Sequence, residues 1–154
     1  EALLRRLLAA AALAAAAAGE DAGALRAALA EARQAGVLPS AVAAAEGRLE
    51  VVVATQALER EAAGKSVQAL ESALETARAV GVHPGPLDAG ATALRRLLAS
   101  EGLAEAMRKG EAEPLLGAIA AAKEAGLTTA ALRPARSRLK GLAAAEAKAA
   151  AAGG

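Results

Sequence analysis

The 154 residues include one histidine, His83, in the run Val82-His83-Pro84-Gly85. Imidazole is the side chain suited to proton transfer and metal binding near neutral pH, so His83 is the first place to look for catalysis. A zinc centre needs several ligands, and the chain has no cysteine to contribute. A serine nucleophile needs a partner set, and no Gly-x-Ser-x-Gly run occurs. His83 therefore reads as a solvated turn residue. The run Gly64-Lys65-Ser66 has the ending of a phosphate-binding loop, but such a loop requires a second glycine five positions before Gly64, where Glu59 stands, and Arg60 beside it is no glycine either. The carboxylates Glu59 and Glu61, and Glu111 and Glu113, read as solvated or first-turn charges, whereas acid–base chemistry needs a pair held in contrasting environments. The expectation is a non-enzymatic chain with no catalytic residue, no metal and no cofactor.

The basic residues are more regular. Arg5 and Arg6 recur as Arg95 and Arg96, Lys140 stands in line with Arg5 and Arg95, and Arg133, Arg136 and Arg138 lie close by, while Glu50 and Val51 interrupt the column. On stacked helices this column makes a broken basic stripe. It reads either as solvated helix faces or as a dock for an acidic protein surface such as a filament or a tubulin tail. Nucleic acid is not expected: no aromatic residue is present to stack a base, and 18 basic against 17 acidic residues leave a net charge of +1. No membrane span is expected either. The apolar stretch 7–19 is too short to cross a bilayer and is mostly alanine.

The elements that must carry these residues repeat along the chain. Leu25, Leu70 and Leu115 are 45 residues apart, as are Leu29, Leu74 and Ile119, and Ala32, Ala77 and Ala122. The same spacing relates Arg33, Arg78 and Lys123, then Gly36, Gly81 and Gly126, then Leu49, Leu94 and Leu139, then Val52, Leu97 and Leu142. Leu4, Leu7, Leu8 and Leu13 continue the register backwards from Leu49, Val52, Val53 and Leu58; Gly19, Gly64 and Gly154 are also in phase. So many columns in one register define tandem units: a partial one over 1–19, then 20–64, 65–110 and 111–154. Together they form a single repeat region, read as an excerpt of a longer chain.

Each unit predicts a helical hairpin. A first helix, over about 21–35, 66–80 and 113–125, has apolar residues at i, i+4 and i+7, a cation in its last turn and a glycine cap followed by an apolar residue, as in a Schellman motif. A second, longer helix, over about 39–63, 85–109 and 129–152 with a truncated copy at 1–18, overhangs the first by about 15 Å. Its apolar face changes side along its length, from Leu94, Leu97 and Leu98 to Leu103 and Met107. Such a helix touches two neighbours, unless it breaks near Thr55 and Gly102 into two. With no aromatic residue the core must be leucine, valine, isoleucine and alanine, and alanine contributes by letting backbones approach rather than by area. The fold class is all-α: antiparallel hairpins in tandem, stacked as an α-solenoid or an elongated bundle.

The alanine-rich hairpin, with the run LRAALAEARQAGV over Leu25–Val37, a Gly-Val-x-Pro turn and a long second helix, resembles segments of large algal and protist proteins that are similar to cytoskeletal or ciliary (axonemal) components. The resemblance covers the whole chain and carries over no functional residue. It implies a structural scaffold or adaptor in the cytoplasm, at the cytoskeleton or cilium, with filament- or microtubule-associated protein partners beside neighbouring repeats of the same chain. The candidate contacts are Arg95, Arg96, Arg136 and Lys140 for charge, and Leu58, Leu103 and Met107 for apolar docking if other units do not bury them. The partial unit at the start would pack on a preceding first-type helix or on another chain. Two alternatives stand beside the scaffold: a non-catalytic helical appendage of a larger enzyme, and helices that bind a lipid surface reversibly.

Overall fold

A computed structural model describes residues 1–153; Gly154, the last member of the glycine column, lies outside them. Among the described residues there are seven helices and no strand: α1 (Ala2–Ala18), α2 (Ala22–Gln34), α3 (Pro39–Ala62), α4 (Val67–Ala79), α5 (Pro84–Lys109), α6 (Ala112–Glu124) and α7 (Thr129–Ala152). The short helices α2, α4 and α6 each have 13 residues. The long helices α3, α5 and α7 run without interruption. At Thr55, where a break was conceivable, the hydroxyl donates back to Val51 O at 2.8 Å and the helix continues.

The ends of the short helices follow from local chemistry. Asp21 opens α2 by accepting from the backbone N–H of Gly23 at 2.8 Å and of Ala24 at 3.1 Å, satisfying donors that the first turn leaves orphaned. At the other end Gly36, Gly81 and Gly126 adopt φ of 69°, 77° and 83°. The residues after them donate to the carbonyls of Ala32, Ala77 and Ala122 at 2.9, 2.9 and 3.0 Å. The glycines themselves donate to Arg33, Arg78 and Lys123 O. This is the full Schellman pattern, and it buries Val37 and Val82 as its apolar lid.

The chain divides into two compact units. The first comprises Glu1–Gly64 with Gln68–Gly90; the second takes Lys65–Val67 and everything described from Ala91 onward. In the first unit, Ala9 and Leu13 of α1 and Ala45 of α3 close over Leu25, Ala28, Leu29 and Ala32 of α2, with Val42 and Leu49 half-buried around them. Further along α3 the apolar face has turned, and Leu58 meets a different neighbour. A β-carbon added to Gly90 of α5 would stand 2.8 Å from Leu58 Cδ1 and 3.0 Å from Leu74 Cδ2 of α4. The long helix thus serves two partners, as its shifting face predicts. In the second unit, Leu103 and Ala106 of α5 and Leu132 and Ala135 of α7 enclose Leu115, Ile119 and Ala122 of α6.

Small residues mark the closest approaches. Ala32, Ala77 and Ala122 have no exposed surface, and Ala45, Gly90 and Ala135, also 45 apart, are buried as well. One proline sits inside a long helix: α7 continues through Pro134, which removes the N–H that would bond to Ala130 O.

These contacts set opposite signs for glycine substitutions. Gly90→Ala forces a methyl against two buried leucines and lowers unfolding stability by about 1–3 kcal/mol despite the better helix propensity. Gly47→Ala and Gly141→Ala, where a β-carbon would meet nothing within 4 Å, raise it by ~0.5–1 kcal/mol each. Urea denaturation followed by circular dichroism distinguishes the two classes.

Candidate functional site

The polar side chains that sequence reasoning assigned to a docking stripe divide into two groups in the structure. One group works inside the fold. Arg96 Nε donates to Ala125 O at 3.3 Å, at the end of α6, and its guanidinium lies over Gly126. Arg138 Nη2 stands 3.3 Å from the point a β-carbon on Gly110 would occupy, just past the end of α5. Arg48, outside the stripe altogether, does the same for α1: its Nε donates to Ala17 O at 3.3 Å and its Nη2 to Gly19 O at 3.4 Å. A helix C-terminus presents unpaired carbonyls and the negative end of its dipole, so a cation there is favourable. Arg48 and Arg138 share one repeat column. The column was readable in the sequence, but the capping task of Arg48 was not, because the carbonyls it serves belong to another helix.

The second group faces outward. Arg133, Arg136 and Lys140 project from one side of α7 together with Thr129 and Ser137, lining an open groove of about 340 Å³. All five are exposed, and among the described residues none of the three cations has a carboxylate partner. The cations' spacing of three and four residues keeps them on one helical face. Arg95 is exposed as well and donates to Thr92 Oγ1 at 3.1 Å on its own helix. Of the charged candidates, then, Arg136 and Lys140 come together, joined by Arg133, while Arg96 is engaged by α6.

The apolar candidates are core residues. Leu58 and Leu103 are buried, and Met107 is half-buried against the Leu115 and Ile119 cluster. That side of the long helix meets the next short helix, and Leu58 and Leu103, being buried, offer no surface to an outside partner. The large exposed apolar residues are others: Leu3, Leu4, Leu7 and Leu8 on α1, with Leu38, Leu98 and Leu116.

His83 caps a helix. Its Nδ1 accepts from the backbone N–H of Gly85 at 3.2 Å at the start of α5, and Thr128, one repeat later, accepts from Ala131 N at 3.3 Å at the start of α7. His83 also borders a cleft of about 290 Å³ lined by Glu20, Arg48, Gln56 and Glu59. Two of those side chains are already committed to backbone carbonyls, Arg48 as above and Gln56 to Glu20 O at 2.9 Å. Elsewhere, Arg108 donates to Glu105 on the exposed face of α5, and that hydrogen bond, reinforced by Lys109, holds the Glu105 carboxyl below its ordinary pKa against the opposing effect of desolvation. Among the described residues no group of three or more histidine, cysteine or acidic side chains is placed to hold a metal ion, and no helix is long and apolar enough to cross a membrane.

No protein-family model, no curated protein and no solved structure matches the chain.

Removing the cap from α1 tests the structural role of the first group. Arg48→Met keeps the aliphatic stem and deletes the donors, and it lowers stability by about 1 kcal/mol with faster amide exchange confined to the last turn of α1. Arg133→Met, at an exposed position without such partners, leaves both quantities within about 0.5 kcal/mol of the parent.

Proposed function

We propose that the chain is a tandem-repeat scaffold whose exposed basic face on α7 docks an acidic protein surface. The observation that carries this reading is the trio Arg133, Arg136 and Lys140, aligned on one helix face and unpaired among the described residues, on a fold that spends its other well-placed arginines on internal carbonyls. Cations that neither cap a helix nor meet a carboxylate are free to recognise one from outside, and arginine does so with a planar, bidentate fork.

The repeat reading has its own support. The short helices start at Ala22, Val67 and Ala112 and the long ones at Pro39, Pro84 and Thr129, which is the register of the sequence columns. Each unit is then a hairpin whose long helix packs on its own short helix and on the next one, and repeated hairpins make an array. An array of this kind acts by geometry. It fixes spacing and presents side chains at regular intervals, as a component of a cytoskeletal or ciliary assembly would. The missing aromatic residues and the near-neutral overall charge fit a protein surface better than a nucleic acid as the partner.

A fluorescent glutamate-rich decapeptide, standing in for an acidic filament tail, tests the docking face by anisotropy titration. The parent chain binds it in a salt-sensitive manner, and Arg133→Glu/Arg136→Glu/Lys140→Glu weakens binding at least about tenfold, which corresponds to ~1.4 kcal/mol. Equal binding by both proteins would reject the α7 face. Cosedimentation with microtubules then asks whether the filament is the partner, with the triple variant as control. The repeat is tested separately by deleting one period, Lys65–Lys109, so that Gly64 joins Gly110. In-register excision leaves a helical chain that unfolds cooperatively, and excision shifted by ten residues does not.

A further inference from the structure

One cleft of the first compact unit gathers side chains that the 45-residue columns do not carry. It has a volume of about 290 Å³, and its walls come from α3, from Glu20 before α2 and from the start of α5, all within that unit. One period away in the sequence, Glu20 gives way to Lys65 and Gly110, Glu59 to Ala14 and Ala104, and His83 to Leu38 and Thr128. α1 and α5 form with alanine where α3 has Glu59, so the helix does not require a carboxylate there.

The polar groups around the cleft are unevenly committed. Its donors are spent on backbone carbonyls. Arg48 gives Nε to Ala17 O and Nη2 to Gly19 O, Gln56 gives Nε2 to Glu20 O, and the Thr55 hydroxyl donates to Val51 O. The charge of Arg48 is offset by the carbonyl end of α1 that it caps. His83 is held by the bond that its Nδ1 accepts from Gly85 N. Glu20 and Glu59 are left over, and neither carboxylate enters an ion pair among the described residues. The rest of the lining is aliphatic: Val52 is buried, and Val51 and Pro86 are half-buried. Free acceptors beside aliphatic carbon suit a ligand with N–H donors, positive charge and a short hydrocarbon chain. The chain as a whole carries +1, so its overall field gathers no cations and the attraction is local. A metal ion suits the cleft less, because no group of three or more histidine or acidic side chains is placed to hold one among the described residues.

We propose that this cleft binds a small aliphatic ammonium ion, with Glu20 and Glu59 receiving the charged nitrogen and Val51, Val52 and Pro86 lying along the carbon chain. Small-ligand sites run from about 300 to 1,000 Å³, and a cleft at the lower end of that range takes an alkylamine or a diamine. The site is independent of the basic face on α7, which belongs to the second unit.

His83 is the only histidine, so its imidazole resonances report directly on the cleft. Titrating the full chain with diaminopentane, at fixed pH and ionic strength, should shift them saturably, with half-saturation on the order of a millimolar. Pentanediol, of the same length without the charge, should leave them in place. Glu20→Gln/Glu59→Gln should weaken binding at least about fivefold, while circular dichroism and thermal unfolding match the parent. Glu71→Gln/Glu75→Gln, at exposed positions outside the cleft, should bind as the parent does. The proposal is overturned by the absence of a saturable shift, or by equal affinity in the parent and the cleft variant. Equal weakening in both double variants also rejects it, since that describes diffuse attraction to surface carboxylates. An equal response to pentanediol rejects recognition of the charge and leaves only an apolar cleft.

Discussion

Close helix approach at small residues is the constraint on which the rest of this structure depends. A core without a single aromatic ring has little area to bury per helix, and at about 25 cal/mol per Å² an alanine methyl adds little by itself. What alanine permits is proximity. Ala32, Ala77 and Ala122 on the short helices, and Ala45, Gly90 and Ala135 on the long ones, let backbones come near enough for the leucines beside them to be enclosed completely. Leu25, Leu70 and Leu115 are fully buried as a result. Gly90 is the extreme case, a position where two leucine side chains already occupy the space of a β-carbon.

That thin core makes the helix ends matter more than they would in a thick one. A hairpin of short helices has many terminal carbonyls relative to its buried area, and each needs a partner or water. The short helices close theirs locally with the glycine-centred turn. Other ends are served across the fold by arginines, Arg48 for α1 and Arg96 for α6. Arg96, a member of the apparent basic stripe, is therefore structural, whereas Arg133, Arg136 and Lys140 on α7 meet no carboxylate among the described residues.

The long helices show the same economy. Along α3, Leu49 lies with the cluster built on α2, and Leu58, further along, lies beside Gly90 of α5 and Leu74 of α4, so a single helix serves two apolar faces in turn.

Local sequence signals settled the helices, their order and nearly their limits. The short helices expected over 21–35, 66–80 and 113–125 occur at Ala22–Gln34, Val67–Ala79 and Ala112–Glu124. This was legible because the signals are local: a cap, an i, i+4, i+7 apolar face, a glycine in the left-handed region and an apolar residue behind it. The unbroken course of α3 and α5 was less legible, since a change of apolar side reads equally as a bend or as a helix with two neighbours. Only tertiary structure decided which polar and apolar side chains remain available. Leu103, a candidate for docking, is held in the core, while Leu4 and Leu7 are exposed although Leu94 and Leu97, 90 residues on, are half-buried. Arg96 and Arg136, alike as residues, have different tasks. Such distinctions depend on what lies across the gap between helices, on a carbonyl or a leucine far away along the chain, and no spacing within one helix encodes it.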